Sequence, residues 1–150
     1  MSDLITADFV LLDLQADTKD DATRQLVQRL AAAGRATDLE GFLADVRKRE
    51  EQMPTGLPGG IGIPHARSAH ITEPTLAFAR SSKGVDYGAE DGPATLIFLI
   101  AAPEGGGDEH LKILAALARK LMRSEFRDSL RGAATEQDIV DIVNREVVGV

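Results

Sequence analysis

The feature that most constrains the fold of this sequence is an apolar run near its middle, TLIFLIAA at 95–102. Every residue after Thr95 is apolar, whereas a strand with one face in water would alternate apolar and polar residues. The run therefore predicts a central β-strand that is covered on both faces. Its seven apolar residues fall far short of the roughly 20 that a membrane-spanning helix needs.

Segments with helix signals lie before and after this strand and can supply the two covering layers. Helices are predicted to begin near five positions, Thr18, Thr37, Asp108, Ser124 and Thr135. Three of these starts are a threonine followed three residues later by an acidic residue, which is typical of a capping box. Further strands are predicted at 10–14, 61–63 and 75–79. Strands interspersed with helices predict an α/β fold, and the pattern leaves the strand order open.

Length, charge and cysteine content exclude several classes of function. The 150 residues suit one domain, 1–150, with its own core. A net charge of −7 and only six aromatic residues argue against nucleic acid binding. The absence of cysteine excludes disulfides, thiolate metal sites and a cysteine nucleophile. No Lys or Arg precedes Lys19, so no signal peptide is visible, and we expect a cytoplasmic protein without membrane insertion.

Two of the three histidines lie in one segment, GGIGIPHARSAH at 59–70, which we interpret as a loop. His65 follows Pro64, which fixes the backbone just before it. Its imidazole could be a metal ligand, a general base, a nucleophile or an ordinary loop side chain. His70 is more simply explained as a structural residue. The two histidines lack the spacing of a helical zinc pair, so we expect no metal site.

His110 is predicted in the first turn of a helix that begins near Asp108. Helix N-termini carry partial positive charge and unpaired N–H groups, so they bind anions and keep a nearby imidazole neutral. The backbone N–H groups of the glycine loop around Gly60 could approach a phosphoryl group closely. Arg49 could pair with phosphate through its planar guanidinium. The structural alternatives are a core histidine, a simple turn and a solvated helix end.

Taken together, these residues form a specific pattern. Arg49-Glu50 is followed by Thr55-Gly56, by GGIGIPHA, and by LIFLIAAPEGGGDEHLKIL. The pattern resembles the enzyme IIA domain of the fructose–mannitol family of the bacterial phosphoenolpyruvate:sugar phosphotransferase system. The resemblance covers nearly the whole chain and is strongest to the fructose-specific branch. One departure is Gly62, where the family usually has alanine.

The resemblance implies a mixed central β-sheet flanked by helices and a site for phosphoryl transfer. His65 matches the histidine that is phosphorylated, and His110 matches a second histidine that supports the phosphoryl group. Arg49 and Thr55 match residues near the site, and we expect both, together with the backbone of Gly60, to bind the phosphoryl group. No metal or cofactor is needed. Exposed apolar residues beside His65, with Leu57 and Ile61 as candidates, would form a docking patch.

The implied activity is that of a phosphotransferase component with a phosphohistidine intermediate. The donor would be the phosphocarrier protein HPr. The acceptor would be an enzyme IIB domain for fructose uptake, carried with IIC on the same full-length chain or encoded in the same operon. Two alternatives stay open at this point. One is a regulatory, nitrogen-related enzyme IIA that signals by its phosphorylation state. The other is a non-catalytic module that merely binds an anion.

Overall fold

A computed structural model describes residues 3–105 and 109–148, with only the backbone for 109 and 110. A short 3-10 helix at Ala7–Phe9 precedes the first strand, and a π-helical segment at Asn144–Val148 follows the last α-helix. The strands are β1 (Val10–Leu11), β2 (Gly56–Leu57), β3 (Ile61–Gly62), β4 (His65–Ser68), β5 (Thr75–Val85) and β6 (Ala94–Pro103). The α-helices are α1 (Lys19–Ala32), α2 (Leu39–Gln52), α3 (Glu109–Leu121), α4 (Ser124–Gly132) and α5 (Glu136–Val143).

The six strands form one mixed sheet, which confirms the predicted fold class. Its order is β1-β5-β6-β3-β2, and β4 also pairs with β6. β6 runs antiparallel to β5 and parallel to β3 and β4. β3 and β4 follow one another along the same edge of β6. The segment that contains His65 is therefore anchored on the central strand.

Alternate residues of β6 belong to two separate hydrophobic cores. Ile97, Leu99 and Ala101 face the core that contains α1 and α2. Leu96, Phe98 and Ile100 face the core that contains α3, α4 and α5. The prediction of a central strand covered on both faces is confirmed, because side chains of a strand point to opposite faces in turn.

The caps explain where the helices begin. The Thr18 hydroxyl accepts a hydrogen bond from the backbone of Asp21, and Thr135 forms a reciprocal capping box with Asp138. The second helix was predicted to open at Thr37, and this is wrong by one residue. Asp38 is its cap and accepts from the N–H of Gly41. The predicted start at Asp108 lies outside the described residues.

The strands differ from the sequence expectations mostly at their ends. The first is shorter than predicted and ends at Leu11, whereas β5 extends to Val85. The two-residue strand β2 and the strand β4 were missed. Both are too short or too polar to show a periodic apolar pattern. Among the described residues, no helix is long and apolar enough to cross a membrane.

Gly62, where the resemblance would place alanine, packs against Tyr87. A Cβ atom at Gly62 would lie 2.7 Å from Cδ2 of the Tyr87 ring and 3.3 Å from the Ala94 side chain. Contacts this close would force the ring or the strand to shift. The ring itself is buried, and its hydroxyl hydrogen-bonds with Thr23 over 2.9 Å. Glycine at 62 is therefore matched to the tyrosine at 87.

We expect the chain to lose stability as the pH rises above about 10, the ordinary pKa of tyrosine. Burial raises the pKa of the Tyr87 phenol, and the hydrogen bond with Thr23 offsets only part of this effect. A raised pKa means that the unfolded chain ionises first. The stability contribution is present below pH 10 and is lost by up to about 1.4 kcal/mol for each further pH unit.

Tyr87 is the single tyrosine and the chain has no tryptophan, so phenolate absorbance reports this group alone. We expect that absorbance to appear together with unfolding, followed by circular dichroism, and the pH dependence to weaken in Tyr87→Phe. Phenolate formation at ordinary tyrosine pH in a fully folded chain would contradict the prediction.

Candidate functional site

His65 begins a strand rather than lying in a loop, which corrects the sequence interpretation. It opens β4 and lies opposite Ile100 of β6. The strand pairing breaks between β3 and β4 at Pro64, which has no N–H to donate. The carbonyl of Pro64 still accepts a hydrogen bond from the N–H of Ile100, over 3.1 Å. The break therefore leaves His65 on a backbone that remains fixed to the central strand.

The imidazole of His65 is half-buried and oriented by its own backbone. Its Nδ1 atom lies 2.8 Å from the carbonyl oxygen of Ile63. A carbonyl oxygen can only accept, so Nδ1 carries the proton in this contact. In the neutral ring the lone pair is then on Nε2. The geometry therefore favours the tautomer that is protonated on Nδ1.

His65 lines a cavity of about 550 Å³ between α2 and α3, over β4 and the end of β6. Side chains of four elements contribute to its wall. They are Asp45, Lys48, Arg49, Gln52, His65, Ala66, Arg67, Ile100, Ala102, Leu111 and Leu114. Its volume lies within the range of about 300–1,000 Å³ that is typical of small-molecule sites.

Among the described residues, the cavity wall has more cationic than acidic side chains, although the chain has a net charge of −7. The described lining residues include Lys48, Arg49 and Arg67, together with the acidic Asp45. Arg49 donates to the carbonyl of Met53 over 3.3 Å, and Arg67 donates to the carbonyl of Glu104 over 3.1 Å. Asp45 accepts a hydrogen bond from Ser68 over 2.5 Å. Such a wall favours an anionic ligand such as a phosphoryl group.

Sequence reasoning missed Lys48 and Arg67 as residues of this cavity. Arg67 lies two residues after His65, so both side chains leave β4 on the same face. That spacing would have indicated Arg67 if the strand had been predicted. Lys48 adjoins Arg49 on α2, and only the packing of α2 beside β4 brings it to the cavity.

His110 lies in the first turn of α3, as predicted, and its side chain lies outside the described residues. It precedes Leu114, which lines the His65 cavity, by four residues. Residues four apart share one face of a helix. The backbone thus places His110 on the helix face that meets the cavity.

Thr55 and Gly60, also predicted to bind the phosphoryl group, do not line this cavity. The Thr55 hydroxyl donates to the buried carboxylate of Glu50. The carbonyl of Gly60 accepts from the N–H of Leu96, four residues before Ile100, the partner of His65. Four residues of extended strand span about 13 Å. The Gly60 backbone is therefore too far from His65 to contact a phosphoryl group bound there.

The sequence analysis also made predictions about His70 and about an exposed apolar residue beside His65. His70 lies in a turn, where its N–H donates to the Ser68 hydroxyl and its carbonyl accepts from Thr37. The proposal of Ile61 as an exposed docking residue is wrong, because Ile61 is buried between the sheet and its covering helices. Leu111, on the rim of the cavity, is 51% exposed instead. In the described part of the chain, no cluster of three histidine or acidic side chains could hold a metal.

The chain matches a protein-family model over residues 3–146, described as phosphoenolpyruvate-dependent sugar phosphotransferase system, EIIA 2. It is 39% identical to the PTS system fructose-specific EIIABC component of Bacillus subtilis over 97% of its own length and 23% of that protein. It is 38% identical to the PTS system fructose-specific EIIA component of Haloferax volcanii over 95% of its own length and 94% of that protein.

The fold is also similar to solved structures. The nitrogen regulatory protein IIA-Ntr from Neisseria meningitidis superposes with a TM-score of 0.85 at 28% identity, over 93% of this chain and 96% of that one. The chain therefore spans nearly the whole length of some relatives. It spans less than a quarter of others, such as the Bacillus subtilis protein, whose name places A, B and C components together.

Proposed function

This chain belongs to the EIIA 2 family of the phosphoenolpyruvate-dependent sugar phosphotransferase system, and on that premise we propose that it carries a phosphoryl group on His65. The observation that carries the proposal is the contact of Nδ1 with the Ile63 carbonyl in a cavity lined by cations. That contact holds the proton on one nitrogen and leaves the other as nucleophile. A non-catalytic anion site would need no such control of the tautomer.

The chemistry proposed for the first transfer is an in-line displacement at phosphorus. The lone pair of Nε2 forms a new P–N bond while the P–N bond to the donor histidine breaks. The donor imidazole keeps that electron pair. In the transition state charge is spread over the three equatorial oxygens, where Arg49, Arg67 and Lys48 can stabilise it. His110 is proposed to support the same group from the start of α3.

The second transfer reverses the roles at His65. The family resemblance implies that the acceptor group is a cysteine of the IIB domain. Its thiolate forms the P–S bond, the P–N bond breaks, and the imidazole recovers its electron pair. Neither transfer needs a metal or cofactor in this mechanism. The histidine is a suitable carrier because it can both accept and release a phosphoryl group.

The proposed donor is phospho-HPr and the proposed acceptor is an enzyme IIB domain, with fructose as the sugar finally phosphorylated. Two relatives at 38–39% identity are named as fructose-specific components, and one of them carries A, B and C components together. The nitrogen regulatory structure is less similar in sequence, at 28%. A transport role is therefore favoured over the regulatory alternative. These partners would meet the chain in the cytoplasm.

The test is to incubate the chain with phosphoenolpyruvate, enzyme I and HPr and to measure its intact mass. We expect a gain of one acid-labile phosphoryl group, which is lost again when the phosphorylated chain is separated from the donor system and mixed with a fructose-type enzyme IIB. No gain, with HPr shown to be phosphorylated in the same tube, would overturn the proposal. A gain that no IIB removes would instead support the regulatory alternative.

A further inference from the structure

The buried residue closest in sequence to Arg49 is an acid with no place in the mechanism above. Glu50 ends the buried face of α2 and is only 6% exposed. Its two carboxylate oxygens accept from a single residue, the backbone N–H and the hydroxyl of Thr55, each over 2.8 Å. The nearest cation, Lys19, is 4.0 Å from one oxygen. A buried carboxylate is costly unless its hydrogen bonds are met, so this pairing fixes Thr55 strongly.

Thr55 is in turn bonded to the segment that precedes the functional histidine. The Thr55 carbonyl accepts from the N–H of Ile63 over 3.3 Å. The carbonyl of the same Ile63 accepts from Nδ1 of His65 over 2.8 Å. A series of hydrogen bonds therefore links Glu50 to Thr55, Thr55 to Ile63, and Ile63 to the imidazole of His65.

The other side of this segment is fixed independently. Ile61 and Gly62 pair with β6, and the carbonyl of Pro64 accepts from Ile100. The bond from the N–H of Ile63 to Thr55 continues the antiparallel pairing of β2 with β3, in which Gly56 lies opposite Gly62. Thr55, which Glu50 holds, therefore helps to position Ile63, whose carbonyl contacts His65.

We infer that Glu50 is a positioning residue for phosphoryl transfer: through Thr55 it sets the Ile63 carbonyl against Nδ1 and so fixes the His65 tautomer. The inference rests on the proposed function of His65. It also gives Thr55 a role different from the direct phosphoryl contact that the sequence suggested. Removing a group that orients a metal-bound histidine commonly costs about 10- to 100-fold in activity, and we expect an effect of that order here.

The test compares Glu50→Ala with Glu50→Gln. Alanine removes both acceptors for Thr55. Glutamine can keep both contacts, because its oxygen can accept from the Thr55 N–H and its amide can donate to the Thr55 hydroxyl. Glu51→Ala is the matched control, since it removes the same charge from the neighbouring, exposed position.

Two readouts separate positioning from a general structural effect. Nitrogen NMR on histidine-labelled protein gives the tautomer of each ring. The spectrum contains only three histidines, and His65→Ala assigns the relevant one. Initial rates of phosphorylation, measured in quenched reactions with phospho-HPr as the donor, give kcat and KM. For Glu50→Ala we expect a mixed His65 tautomer and a kcat lowered about tenfold or more at little changed KM. Glu50→Gln and Glu51→Ala should resemble the wild type.

A folded Glu50→Ala chain with the wild-type tautomer and kcat would overturn the inference. If that variant does not fold, Thr55→Val, which removes only the hydroxyl contact, must show a shifted tautomer and a lower kcat for the inference to stand. The tautomer is measured without any partner. Failure of the wild type to accept a phosphoryl group would therefore overturn the proposed function, whereas an unchanged tautomer would overturn only the role of Glu50.

Discussion

Intact-mass measurement of His65→Ala, after incubation with phosphoenolpyruvate, enzyme I and HPr, is expected to show no added phosphoryl group. Alanine has no lone pair to offer to phosphorus, and nothing else in the mechanism can form the P–N bond. The loss should be complete rather than partial, because the nucleophile itself is removed. The variant should fold, since His65 is half-buried at the start of β4 and leaves the central pairing of β6 intact.

His70→Ala provides the matched control for this experiment. It removes a histidine from the same stretch of sequence, but one whose backbone makes the contacts in a turn outside the His65 cavity. We expect this variant to accept one acid-labile phosphoryl group like the wild type. Phosphorylation that persists in His65→Ala, or that disappears in His70→Ala while the fold is retained, would contradict the assignment of His65.

The layered fold could be predicted because its signals are local and strong. The apolar run after Thr95 required a covered central strand, and Thr18 and Thr135 marked helix starts by their caps. The mixed strand directions could not be predicted from the pattern, since pairing partners are distant in the sequence. β6 meets β5 antiparallel and β4 parallel. The family resemblance supplied that feature.

The site could be predicted only in part, for a related reason. Arg49 reaches the cavity as expected because it lies on the same helix face as Asp45, which also lines it. Gly60 does not, because β3 and β4 are separate pairings along β6, and the glycine loop meets the far end of that strand. A sequence shows that a glycine and a histidine are five residues apart. It does not show that an extended backbone between them carries the glycine out of reach.

Replacing Arg49 with alanine is expected to slow phosphoryl transfer to His65 by about 100- to 1,000-fold, the usual loss when a donor to a developing charge is removed. The guanidinium lines the His65 cavity and is held there by its bond to the Met53 carbonyl. Its position is thus fixed before the phosphoryl group arrives. Arg49→Lys should recover only part of the rate, because it keeps the charge and loses the planar fork that fits two phosphoryl oxygens.

Arg24→Ala is the matched control for the change in net charge. Arg24 lies on α1, pairs with Glu40 over 2.6 Å, and does not line the His65 cavity. Single-turnover rates with excess phospho-HPr, at several salt concentrations, distinguish the two positions. A long-range effect of charge on donor encounter would be screened by salt and shared by both variants. The transfer step itself should be slower in Arg49→Ala than in Arg24→Ala at every salt concentration. Equal rates for the two variants would remove Arg49 from the mechanism.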